Sequence, residues 1–110
     1  MFHMLSCFNL DNETPTHVFQ ASLTAFKHYM QEQDLLSSVG QLGRRCRDTP
    51  MDTDAERDLE YYFVMTFRDR RQCDAAYDFI DNDSASHTSH TEVISSVKYA
   101  VFICWEDIQE

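Results

Sequence analysis

Residues 59–80 read LEYYFVMTFRDRRQCDAAYDFI, and a change of period inside this stretch decides the fold. In its first half Leu59, Tyr61, Phe63, Met65 and Phe67 occupy every second position, while Tyr62 and Val64 fill much of the other parity. Period two is a strand, and a strand apolar on both parities wants cover on both sides. In the second half Cys73, Ala76, Tyr77 and Ile80 fall at i, i+3, i+4 and i+7, one face of a helix. Asp69 stands between the halves as an N-cap candidate. The stretch predicts a central strand feeding a helix that folds back over it.

Upstream, residues 2–10 alternate as a first strand, with Phe2, Met4, Phe8 and Leu10 on one face and His3, Leu5, Cys7 and Asn9 on the other. After the turn DNETP, Thr14 suits an N-cap and Pro15 the first helical position. A helix is expected over 15–33, with Phe19, Leu23, Phe26 and Met30 as its main stripe and Val18, Ala25 and Tyr29 widening it. The segment LLSSVGQLGRRCR, residues 35–47, carries Gly40 and Gly43 and reads as an irregular edge strand. A polar loop over 48–58 leads to the central strand. Another, DNDSASHTSHT over 81–91, follows the second helix and ends in a helical turn through Val93 and Ile94. The last strand, 97–106, carries Val97, Tyr99, Val101, Ile103 and Trp105 on one parity and Ala100, Phe102 and Cys104 on the other.

The order strand, helix, strand, strand, helix, strand is the ferredoxin-like βαββαβ arrangement. The expected fold is α+β: one domain spanning 1–110, a four-stranded antiparallel sheet with two helices on one face. The other sheet face would be bare in a monomer, although every strand but the second is apolar on both parities. Large exposed apolar patches are rare on monomers, so a homodimer packed through its sheet faces is expected.

The chain has 110 residues, a size that supports one core. Its formal net charge of −10 repels phosphate backbones and anionic membranes, which argues against nucleic acid as a partner. No apolar run is long enough to span a membrane, and the N-terminus MFHMLSCFNLD lacks the basic and apolar regions of a signal peptide. Cys7, Cys46, Cys73 and Cys104 are scattered without a CxxC, the pattern of reduced thiols in a cytoplasmic protein. There is no GxSxG elbow, GxGxxG or phosphate loop to support a hydrolase or a nucleotide cofactor. No cofactor is expected.

Three places resemble the dimeric α/β-barrel superfamily, and most closely its stress-responsive branch, which includes plant polyketide cyclases. HMLSCF (residues 3–8) resembles a His-bearing apolar first strand. YFVMTFRD followed by AAYDFI (62–69 and 75–80) resembles the third strand and Tyr-bearing helix. HTSH (87–90) resembles an HPxH element ahead of the final strand. The resemblance implies a homodimer and a pocket between helices and sheet. For an enzyme of this kind it implies His3, Tyr77 and His90 as the catalytic set. Cofactor-free monooxygenases of quinone-like polyketides are similar at the level of fold, and Trp105 is the one indole for such a role.

Each candidate also has a plainer reading. His3, among apolar neighbours, suits a hydrogen-bonded core histidine or a general base. Tyr77 suits a core ring or a pocket donor. His87 and His90 lack a third ligand, so no metal site is expected. Arg44, Arg45 and Arg47 form a solvated edge or receive a carboxylate. Matching TFRD to the third strand puts Tyr61, Phe63 and Met65 toward the helices beside His3 and Leu5. Phe26, Tyr29 and Met30 come from the first helix, Tyr77 from the second, and Trp105 completes the expected lining. Three functions compete: a binding module for a fatty-acid-like or polyketide-like molecule, a cofactor-independent cyclase or monooxygenase, and a dimer without a ligand. A lined cavity separates the first two from the third.

Overall fold

The computed structural model describes residues 1–82 and 90–109. Its elements follow the expected order: β1 (Phe2–Leu10), α1 (Thr16–Glu32), β2 (Ser38–Val39), β3 (Gly43–Arg44), β4 (Tyr61–Phe67), α2 (Arg70–Asn82) and β5 (Val97–Glu106). The sheet is antiparallel in the order β2-β4-β1-β5, and β3 also pairs with β4. The expected second strand is two short pieces, because the chain leaves the ladder at Gly40 and returns at Gly43. Both pieces sit on the same edge of β4, which is therefore paired along both sides. From His90 the described chain is helical through Ile94 and leads into β5, in line with the expected turn through Val93 and Ile94; His87 lies outside the described residues.

The two helices form as their sequences require. On α1, Phe19, Leu23, Phe26 and Met30 are all buried at helical spacing. Val18 and Ala25, expected to widen the stripe, are exposed. Pro15 is itself the N-cap of α1, with φ −62° and ψ 147°, and no side chain caps this end. For α2 the cap is Asp69, whose carboxylate accepts the Gln72 backbone N–H at 2.8 Å. Gln72 is a buried polar residue that no periodicity singles out. Its Oε1 accepts from the Arg68 N–H at 2.7 Å, and its Nε2 donates to the Asp34 carbonyl at 2.9 Å. These bonds tie the start of α2 to the end of α1.

The antiparallel register settles which residues share a face. Phe2, Met4, Ser6 and Phe8 stand opposite Phe67, Met65, Phe63 and Tyr61, so these two rows lie together under the helices. His3, Leu5 and Cys7 stand opposite Thr66, Val64 and Tyr62 on the outer face. On β5, Cys104 and Phe102 pair with Met4 and Ser6, while Trp105, Ile103 and Val101 pair with His3, Leu5 and Cys7. The ladder then slips by one residue: Tyr99 and Ala100 together oppose Phe8, and Tyr99 takes φ 57°. Beyond this bulge Val97 pairs with Leu10 on the helix side, the face opposite to that of Val101. The single parity expected for Val97 through Trp105 is thus broken in two.

The loop between β3 and β4 is held by its own charges. Arg45 makes a two-pronged contact with Asp52 at 2.7 and 2.8 Å and donates to the Asp54 and Arg57 carbonyls. Arg44 pairs with Glu60 at 3.2 Å and Arg47 with Asp58 at 2.7 Å. The arginine cluster is therefore not a bare solvated edge. Its buried member, Arg45, receives a carboxylate from its own chain.

Candidate functional site

Between the helices and the sheet lies a cavity of about 570 Å³. That volume falls within the range of small-molecule sites. Its floor is the helix-facing row of the sheet: Met4, Ser6 and Phe8 from β1, Phe63, Met65 and Phe67 from β4, and Ala100 and Phe102 from β5. Phe19, Phe26 and Met30 of α1 form one wall, and Cys73, Ala76, Tyr77 and Ile80 of α2 form another. His90, Val93 and Ile94 add to the lining near β5. The opening lies on the β5 side, where Phe102 is 57% and Tyr77 70% exposed.

The lining is almost wholly apolar. Among the described residues no Asp, Glu, Lys or Arg borders the cavity. Its polar groups are Ser6, Cys73, Tyr77 and His90. Burial pushes the Cys73 thiol up, with the neighbouring Cys104 acting in the same direction. Cys73 thus stays protonated at neutral pH and is not an activated nucleophile. His90 packs its ring against Phe26 at 5.9 Å. Ser6 differs from the others: it is 2% exposed and its hydroxyl has no hydrogen-bond partner. Leaving a buried hydroxyl unbonded costs about 1–3 kcal/mol.

The expected site residues divide between the two sheet faces. Phe26, Met30, Phe63, Met65, Tyr77 and His90 border the cavity together. His3, Leu5 and Trp105 do not, because β1 meets β4 in a register that turns them to the outer face. There His3 stacks on Trp105 with ring centroids 5.2 Å apart. Its Nε2 donates to the Asp107 carboxylate at 2.8 Å, and its Nδ1 lies 3.0 Å from the Thr66 hydroxyl. Both ring nitrogens of His3 are engaged. The His3 bond, helped by the N-terminal amine, holds the Asp107 carboxyl below its usual range. Tyr61 faces the helices but is sealed beneath Phe8, and its hydroxyl accepts from Arg44 at 3.3 Å. Tyr29 packs on Phe79, with centroids 6.1 Å apart, away from the cavity. Of the residues missing from the expected lining, Met4, Ser6, Phe8, Ala100 and Phe102 are the opposite parity of the two strands that carry His3, Leu5 and Trp105.

The outer sheet face stays open around β5, with Ile103 44% and Trp105 42% exposed. Among the described residues no three His, Cys, Asp or Glu side chains gather to hold a metal ion, and no helix is long and apolar enough to cross a membrane.

No protein-family profile matches the chain, and no curated protein matches it. Solved structures do. The protein At3g17210 from Arabidopsis thaliana superposes with a TM-score of 0.76 at 7% identity, over 100% of this chain and 98% of that one. SnoaB, a cofactor-independent oxygenase from Streptomyces nogalater, gives 0.68 at 10% identity, over 99% and 94%. A dimeric ferredoxin-like protein of unknown function from Jannaschia sp. CCS1 gives 0.65 at 15% identity, over 96% and 98%. At these identities the likeness speaks for architecture alone, and on architecture it agrees with the sheet order and helix placement above: this chain has a ferredoxin-like α+β fold.

Proposed function

We propose that the protein is a cytoplasmic homodimer that binds a small apolar molecule, fatty-acid-like or polyketide-like, in the cavity between its helices and its sheet. One observation carries this reading: a cavity of about 570 Å³ whose lining is Phe, Met and aliphatic, with a few polar groups. A core has little reason to leave that volume unfilled, since protein interiors pack to crystal density. Met4, Met30 and Met65 are flexible enough to repack around bodies of different length, so selectivity by chain length is modest. Dimerisation through the outer sheet face is supported by the exposed Ile103 and Trp105 and by the dimeric state of structurally similar proteins. A stable interface of this kind buries about 1,600 Å² in total.

The test is displacement of a fluorescent fatty acid from ligand-stripped protein, with native mass spectrometry of fresh preparations to catch a co-purified molecule. Ala100→Trp plugs the cavity from the exposed strand and is expected to weaken binding at least tenfold without unfolding the protein. Stripped protein that takes up no apolar probe rules the reading out. Tyr77 and His90 border the same cavity, which favours a second reading, an enzyme acting on the bound molecule. In that case Tyr77→Phe or His90→Gln leaves binding intact and abolishes turnover of a poly-β-keto substrate. His3 has no place in either version.

A further inference from the structure

We propose that Ser6 is the anchor of this cavity, its hydroxyl bonding a neutral oxygen, a carbonyl or hydroxyl, at the inner end of the bound molecule. The inference rests on the reading of the cavity as a ligand site and adds which end of the ligand enters first and in what charge state.

Three observations meet at Ser6. The first is its place in the sheet. Ser6 stands between Phe63 on β4 and Phe102 on β5, with Met4 and Phe8 two residues away on its own strand. Ser6 is the one small side chain in a row of large ones, and it borders the cavity floor. The second is the unbonded, fully buried hydroxyl. Buried polar groups without partners are rare in folded proteins, and each calls for a reason. A hydroxyl that both donates and accepts, on a residue bordering an apolar cavity, is matched by one ligand oxygen. The third is the absence of charge: among the described residues no acidic or basic side chain borders the cavity apart from His90, near β5. A carboxylate carried down to Ser6 would lose its hydration and meet no cation, a cost that one hydroxyl does not offset. A charged head group is therefore confined to the open end by Tyr77, and the end that reaches Ser6 is neutral.

A matched series of rings separates these terms. Naphthalene, 2-naphthol and 2-naphthoate share one apolar body and differ in carrying no oxygen, a neutral hydroxyl or a carboxylate. Each is titrated against N-phenyl-naphthylamine bound to ligand-stripped protein at neutral pH. The expected result is that 2-naphthol displaces the probe about fivefold better than naphthalene, the worth of one net hydrogen bond. Ser6→Ala removes that preference and leaves naphthalene unchanged. With its unbonded hydroxyl gone, stripped Ser6→Ala also melts above the wild type. Equal displacement by naphthol and naphthalene, or a preference that survives Ser6→Ala, overturns the anchor while leaving the cavity reading in place. Naphthoate binding tightest, with no effect of Ser6→Ala, overturns the neutral inner end. Failure of the parent probe to bind at all removes the cavity reading, and this one with it.

Discussion

β4 and β5 flank the same strand and carry much the same kind of residue, yet they live in different surroundings. On β4, Tyr61, Phe63, Met65 and Phe67 are all buried, under helices on one side and between two paired edges. On β5 no residue is fully buried, although Phe102, Ile103 and Trp105 are as apolar as their counterparts. The difference comes from neighbours, not from composition. β4 sits inside the sheet, whereas β5 is paired only with β1 among the described residues, with an open cavity on one side and a bare face on the other. The molecule is finished around β4 and unfinished around β5. Under the proposed reading a ligand completes one face and a second subunit the other.

The largest effect should come from cutting into the finished side. Phe8 packs against Phe19, stacks on Tyr61 and is fully buried, so Phe8→Ala should cost about 3–5 kcal/mol in urea unfolding. Phe102→Ala, the same chemical change on β5, should cost under about 1 kcal/mol in stripped protein and act mainly on probe binding. Equal losses for the two would erase the contrast. On the outer face, Ile103→Asp should turn a dimer into a monomer by light scattering while leaving the helical circular dichroism intact. A wild-type protein that already runs as a monomer at micromolar concentration would mean that the bare face has no second subunit to cover it.

Smaller effects test what holds the covered side together. Asp69→Ala removes the cap of α2 and should lower stability by about 1 kcal/mol. The β3–β4 loop should respond to acid. The Asp54 carboxyl is lowered to about 2, chiefly by its bond to Arg57. A carboxyl depressed in the folded state adds stability that is present above its unfolded value and fades as the pH falls toward about 2. Melting temperatures between neutral pH and that limit should therefore fall less for Asp54→Asn than for the wild type. The effect should be small because the pair is partly exposed and screened by solvent.

Much of the fold could be read in advance because it rests on local signals. The switch of period at Asp69, the four-residue stripe of α1 and the glycines of the broken edge strand are each contained in a short window of sequence. The site was harder, for a physical reason. Phe2 through Leu10 is apolar on both parities, so nothing in the strand itself says which row turns to the helices. That choice is made by the pairing of Met4 with Met65 and Ser6 with Phe63, a long-range register. One step of that register separates a cavity holding His3 and Leu5 from one holding Met4 and Ser6. Phe26, Met30 and Tyr77 sit on helical stripes that leave one choice of face, whereas Phe63 and Met65, on a strand apolar on both parities, could be oriented only through the likeness of TFRD to a third strand. Ser6 carried a faint signal, as the one hydroxyl in the row Phe2, Met4, Ser6, Phe8. Gln72 carried none, since a polar residue that ties two helix ends together looks in sequence like any exposed one.

The bulge at Tyr99 has a consequence for how β5 divides its labour. A strand normally commits each residue to a face by counting in twos, and the extra residue resets the count. Upstream of the reset Val97 serves the interior. Downstream, the residues in step with Val97 serve the outside, and Ala100 and Phe102 take over the interior. Tyr99 holds a left-handed backbone that suits glycine or asparagine better than a ring, so the reset is kept against a local conformational preference. Deleting Tyr99 while the Cys7–Val101 and Asn9–Lys98 pairs are kept would straighten the strand and leave every other residue on its present face, because each stays opposite the same β1 partner. The extra residue is what lets Val97 and Phe102, an odd number of positions apart, line the same cavity.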